Sequence, residues 1–236
     1  AAFMDLPYYL LVASCNGDQS EIKSLGAILG VAFEDHFKGL CNRVFSCNQC
    51  NDYICKNKYP KLNLTQKGHR IGDSLVTYEK NEALILEFKV ASPAISIKLG
   101  GRVEARKKFI ELEGNKGVSQ LVRDAMAYRL DSSFNGVIYI ALVCRGPIPR
   151  TSDFDDDLRD YLQGSSEYQT HLRDPQNKPL IYLDALAFEF LLSTIRQNVP
   201  CGEILNRLAG LPPSKVIPTI GEIMDQYNCN KSAYCL

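Results

Sequence analysis

The sequence predicts an α/β protein, a central mixed β-sheet flanked by helices, with a Cys-rich insertion and a helical C-terminal extension. Three observations carry that prediction. Apolar residues recur at helical spacing over 21–41. Two strand-sized runs, 71–78 and 83–90, are separated by the polar turn 79–82. The run 136–144 is β-branched and apolar on both faces, as a strand in the middle of a sheet is.

Each element follows from its residues. Ile22, Leu25, Ile28, Leu29, Ala32, Phe33, Phe37 and Leu40 fall on one helical face, giving about five turns, with Asp18 or Ser20 as the cap. A polar, aperiodic stretch holding Cys41, Cys47, Cys50 and Cys55 comes next. It leads into Lys56, Lys58, Lys61, Lys67 and Arg70, with no acid among them. The paired runs 71–78 and 83–90 read as a β-hairpin. The basic stretch with Lys98, Arg102, Arg106, Lys107 and Lys108 leads to a second amphipathic helix over 117–130, and Pro147 and Pro149 end the strand 136–144. Beyond lie an acidic segment, 153–157, a short strand at 179–183 and helices over 184–196 and 201–208. The expected organisation is a core over 18–150, including a Cys-rich and basic insertion over 41–70, and a helical extension over 151–236 packed on it.

Composition excludes several classes. With 27 basic and 27 acidic residues the chain is formally neutral, so it is not a domain basic throughout. The charge is segregated, however: 56–70 carries +5, 98–108 carries +4 and 153–160 carries −4. No apolar run approaches the roughly 20 residues of a membrane-spanning helix, so no membrane partner is expected. The N-terminal residues lack the basic and long apolar regions of a signal peptide. Four of the nine cysteines cluster within 41–55 rather than spreading as a disulfide scaffold, and together these features predict a reducing, cytoplasmic location. A Gly-rich phosphate loop and a Gly-x-Ser-x-Gly elbow are both missing, which argues against a nucleotide hydrolase and a serine esterase.

The chemistry concentrates at Asp73, Glu87 and Lys89. Two residues apart in a strand, Glu87 and Lys89 share a face, while Leu86, Phe88 and Val90 face the other way. The hairpin places Asp73 across the ladder from Glu87. Two carboxylates there offer hard oxygen donors for a divalent cation, and a neighbouring ammonium can orient water and stabilise charge on an attacked phosphate. An isolated Glu-x-Lys also reads as a salt bridge on a solvated face.

Asp73, thirteen intervening residues and then Glu87-x-Lys89 resemble the PD-(D/E)XK nuclease superfamily, the restriction-endonuclease-like fold, with Gly72 in place of the proline of the motif. Glu34, in Gly-Val-Ala-Phe-Glu-Asp-His-Phe, is similar to the acid that this family carries on a helix before the hairpin. Gln120, in Ser-Gln-Leu-Val-Arg, matches the glutamine on the helix after the lysine strand. The resemblance covers residues 26–144, about half the chain. It implies a Mg²⁺- or Mn²⁺-dependent nuclease, most readily a DNA endonuclease. Asp73, Glu87 and Glu34 would serve as metal ligands, Lys89 would position the attacking water, and Gln120 would orient Lys89 or a phosphate. Lys67, Arg70, Lys98, Arg102, Arg106 and Lys107 would line the phosphate track, making affinity fall with salt. Two alternatives stay open: a non-cleaving module of the same fold that binds nucleic acid or serves in assembly, and an RNA endonuclease of the cap-snatching type, for which His36 is the upstream histidine. A homodimer, or further domains of a larger protein, is compatible with all three.

Cys47-x-x-Cys50, flanked by Cys41 and Cys55, offers four thiolates for a structural Zn²⁺. Unmetallated thiols and an iron–sulfur cluster are the alternatives. Of the three histidines, His36, His69 and His171, His36 reads as a surface or packing residue and His69 as a solvated loop residue.

Overall fold

The computed structural model describes residues 14–45 (residue 16 apart), 53–55, 71–78, 81–89 and 103–230. It opens with helix α1 (Gln19–Phe45). Asp18 caps it, its Oδ1 accepting from the N–H groups of Ser20 at 2.8 Å and Glu21 at 3.2 Å. Burial begins only at Phe33 and continues through Phe37, Leu40, Cys41, Val44 and Phe45. The helix therefore runs past 41, where Val44 and Phe45 still have a core to enter. Ile28, expected on the buried face, is 66% exposed, because the helix meets the sheet only from Phe33 onward, where Phe33 and Phe37 pack on Phe88.

Among the described residues the strands β1 (Tyr53–Cys55), β2 (Ser74–Tyr78), β3 (Glu82–Lys89), β4 (Val137–Cys144) and β5 (Ile181–Asp184) form one mixed sheet in that order. β1, β2 and β3 pair antiparallel, and β3, β4 and β5 pair parallel. The hairpin turns through Asn81 at φ 66°, a left-handed conformation that asparagine tolerates well. β4 is buried on both faces, as its unbroken apolar run requires.

Strand alternation sends side chains into two cores. Leu84, Leu86 and Phe88 of β3, with Tyr139, Ala141 and Val143 of β4, pack under α1 and the C-terminal helices. Ala83 and Ile85, with Ile138, Ile140, Leu142 and Cys144, pack under a long helical segment on the opposite face. That segment comprises α2 (Val103–Glu113), a π-helical turn (Gly114–Val118) and α3 (Ser119–Ser132). It starts well before the helix expected at 117, because a buried Arg106 interrupts the apolar stripe that would have announced α2. The result is a three-layer arrangement with the sheet in the middle.

The acidic run at 153–157 is the start of helix α4 (Ser152–Gly164). The Thr151 hydroxyl caps it, and the acids favour the positive end of the helix dipole. A short helix α5 (Ser166–His171) follows. Beyond residue 150 the chain is more than a packed helical extension, since β5 completes the sheet beside β4. Asp184 ends β5 and caps α6 (Ala185–Arg196), its Oδ1 accepting from Ala187 N–H at 2.8 Å. α7 (Cys201–Leu208) and α8 (Pro213–Gln226) close the first core. α8 escapes a sequence reading because it holds Pro218 internally, while Pro213 opens it, where a missing N–H costs nothing. No helix among the described residues is long and apolar enough to cross a membrane.

Candidate functional site

The carboxyl ends of β3, β4 and β5 lie in one row, with Lys89 opposite Cys144 and Cys144 opposite Asp184. In open α/β sheets this edge is where ligands bind. β2 runs antiparallel to β3, so its beginning reaches the same edge. Ser74 pairs with Leu86, and the ladder continues one step further, with Asp73 N–H donating to Leu86 O at 2.9 Å. The Asp73 carboxylate then accepts from Phe88 N–H at 2.8 Å. Asp73 is thus held beside Glu87, as the hairpin predicts.

Gly72 stands where the motif that this stretch resembles carries a proline. Its φ is +58°, and a Cβ would come within 2.8 Å of both Ile85 Cγ2 and Leu86 O. Proline, locked near φ −65°, cannot take this backbone, and glycine takes it without strain.

Asp73 and Glu87 are 8% and 7% exposed, so Glu87 does not sit on a solvated face. Its Oε1 accepts from Lys89 Nζ at 2.6 Å. By strand alternation both side chains lie on the face of Ile85, toward α2 and α3, while Phe88 enters the aromatic cluster with Phe37 and Phe188 on the other face.

Two further acids close on this point, and neither belongs to the expected set. Asp124, 6% exposed, accepts from Gly72 N–H at 2.9 Å through Oδ2 and from Gln120 Nε2 at 2.9 Å through Oδ1. Burial raises its pKa; the hydrogen bonds from Gly72 and Gln120 and the nearby Arg123 oppose the rise, and the Asp73 charge adds to it. Gln120 therefore braces Asp124, and Asp124 braces the turn that carries Asp73. Glu113, at the end of α2, is the other. Burial raises its pKa too, against the lowering influence of Lys89 and then Lys116. Its buried Oε2 has no hydrogen-bond partner among the described residues. Asp124 was within reach of sequence reasoning, four residues after Gln120 on the same helical face. No sequence pattern announces Glu113, because its aim depends on the π turn that follows it.

Other expected residues lie elsewhere. Glu34 sits on α1, over the opposite face of the sheet, in an ion pair with Lys38. His36, on the same helix, packs edge-on against Phe37 and stands 4.0 Å from Glu189. Arg106 is a correction: it is buried, with its guanidinium on Asp157 and Asp153, so it ties α2 to α4 rather than lining a phosphate track. Lys107 remains exposed beside it, 4.0 Å from Asp157. Cys41 is buried in the core under α1, and Cys55 is described only through its backbone in β1. Cys47, Cys50, His69, Lys67, Arg70, Lys98 and Arg102 lie outside the described residues.

The donor set suits a hard cation. Mg²⁺ is commonly held by one or two carboxylates and keeps several waters, and Asp73 and Glu87 are the two carboxylates here that could offer such a pair. Among the described residues no three Asp, Glu, His or Cys side chains form a metal-holding group by themselves. Comparison with family models, with curated proteins and with solved structures gives no match. The functional reading therefore rests on this chain's own residues.

Proposed function

We propose that the protein is a Mg²⁺- or Mn²⁺-dependent nuclease of the PD-(D/E)XK type, most readily a DNA endonuclease. The observation that carries this reading is the fastening of Asp73 beside Glu87, with Lys89 on Glu87, at the carboxyl edge of a mixed sheet. The element order supports it: helix α1, the β2–β3 hairpin, helix α3 with Gln120, then β4 returning parallel beside β3.

Asp73 and Glu87 would hold the cation, which supplies charge neutralisation at the scissile phosphate. Lys89 orients the attacking water and places a positive charge beside the phosphate. Gln120 and Asp124 keep the Gly72–Asp73 turn in place. Glu34 is the weakest member of the set, since it lies over the opposite face of the sheet from Glu87 and Lys89 and is paired there with Lys38. Lys107, with Lys67, Arg70, Lys98 and Arg102, provides the sequence-independent attraction for phosphates.

The direct Lys89–Glu87 ion pair favours a second reading, a non-cleaving nucleic-acid-binding module in which that pair is purely structural. Incubating plasmid, single-stranded DNA and RNA with Mg²⁺ or Mn²⁺ separates the two, with Asp73→Ala and Lys89→Ala beside the wild type. Cation-dependent cleavage lost in both variants supports the nuclease. Salt-sensitive binding without cleavage supports the module, and RNA-only cleavage moves the substrate class to RNA.

A further inference from the structure

Lys89 bonds one carboxylate, Glu87, and acts electrostatically on a second, Glu113. Its Nζ occupies Glu87 Oε1 at 2.6 Å, and Glu113, whose ionisation its charge favours, lies within electrostatic reach. Glu113 Oε2 is buried and lacks a hydrogen-bond partner among the described residues, an arrangement that costs free energy unless something comes to it. Cys144, directly opposite Lys89 in the ladder, is pushed up to about 12, by burial first and then by the Glu113 and Asp184 carboxylates, with Tyr182 and Lys89 opposing.

The backbone that aims Glu113 is itself unusual. α2 ends at Glu113, and the five-residue π turn that follows lets Gly117 press on β4, where a Cβ would come within 2.7 Å of Leu142 Cδ1. Single π turns inside helices recur at functional sites, because the extra residue re-aims the neighbouring side chains.

A cation on the Glu87 carboxylate and the Lys89 ammonium compete for the same oxygen. Like charges at that spacing repel, so Lys89 must move to an acceptor close by. We infer that Glu113 is the second seat of Lys89: it takes the ammonium from Glu87 when a divalent cation binds, which frees the Glu87 oxygen and keeps Lys89 at the site. Glu113 is a positioning residue in this scheme, acting through Lys89, and the inference rests on the metal-dependent reading above.

The test is calorimetric titration of Mn²⁺ into the metal-stripped full chain without nucleic acid. The proteins compared are the wild type, Asp73→Ala, Glu113→Gln, Glu113→Asp, Lys89→Met and the Glu113→Gln/Lys89→Met pair, each checked by circular dichroism and urea midpoint. Glu113→Gln, near-isosteric but uncharged, is expected to weaken Mn²⁺ about tenfold, the scale on which partners behind a ligand set affinity. Glu113→Asp should recover most of the loss. In the Lys89→Met background the Glu113 substitution should change nothing, because no ammonium remains to be reseated. Wild-type affinity in Glu113→Gln, or an equal loss with and without Lys89, overturns the inference and leaves the nuclease reading standing. Absence of Mn²⁺ binding in the wild type, indistinguishable from Asp73→Ala, overturns both.

Discussion

The Asp73 carboxylate accepts a hydrogen bond from Phe88 N–H at 2.8 Å, which fastens the first acid of the site to the residue lying between Glu87 and Lys89. The three side chains are therefore set by one strand pair. Phe88 itself is anchored on the other face by Phe37 and Phe188, with ring centroids 5.8 Å away in both cases. Register and alternation together bring the acids and the lysine to a single edge.

Asp124 is the brace behind this arrangement. Asp124→Ala leaves the buried Gly72 N–H and the Gln120 amide without their acceptor, at an expected cost of about 1–3 kcal/mol. Asp124→Asn retains an acceptor for Gly72 and should recover part of that loss. Urea denaturation of the two variants measures the difference.

Gly72→Ala places a Cβ where φ is +58° and where Ile85 and the Leu86 carbonyl stand within 2.8 Å. The backbone conformation alone should cost about 1–3 kcal/mol, and the clash adds to it. A fall in the urea midpoint should accompany lost cation-dependent activity, since the turn that carries Asp73 must shift.

Arg106 and Lys107 are neighbours in sequence with opposite expected behaviour. Arg106→Ala leaves Asp157, whose side chain is 11% exposed, with only Lys107 at 4.0 Å among the described residues, and should destabilise by about 1–3 kcal/mol. Lys107, with its side chain 62% exposed, should leave stability within about 0.5 kcal/mol on substitution by alanine. Lys107→Ala should instead reduce the dependence of DNA affinity on log salt concentration by about one unit. Urea midpoints and fluorescence anisotropy at several salt concentrations distinguish the two residues.

His171 gives a pH dependence independent of the site. It is 1% exposed, with Nε2 3.3 Å from Lys178 O. Burial lowers its pKa below 6.5, outweighing the raising effect of the Lys178 carbonyl; Arg129 lowers it further and Asp174 opposes. The unfolded chain then binds a proton near pH 6.5 that the folded chain refuses. The contribution is present above that pH and is lost as pH falls from 6.5 toward the folded value, at up to about 1.4 kcal/mol per pH unit. Urea midpoints at pH 7 and pH 5 should fall more for the wild type than for His171→Gln.

The parts of the fold that were legible in the sequence are those with an uninterrupted period. β3 and β4 announce themselves as apolar runs, and Glu87-x-Lys89 stands out because a two-residue spacing places both charges on one strand face. α2 is hidden because its inward face carries Arg106, paired to acids about fifty residues away, so charge is read where packing occurs. The acidic run of α4 is a helix start whose capping threonine precedes it. Asp124 and Glu113 look like ordinary helix surface acids until tertiary packing buries Asp124 and the Oε2 atom of Glu113. Charge segregation is legible but its meaning changes: α4 supplies the acids that absorb Arg106, so part of the apparent basic track is spent inside the fold.

The most direct test of the central claim is the initial rate of Mg²⁺-dependent plasmid nicking by the wild type and by Lys89→Ala at equal urea midpoint. The wild type should nick DNA, and Lys89→Ala should slow nicking at least about 10²-fold, the scale of a lost acid–base or water-orienting group. Nicking by Lys89→Ala at the wild-type rate, or no Mg²⁺-dependent cleavage of any nucleic acid by the wild type, would contradict the claim.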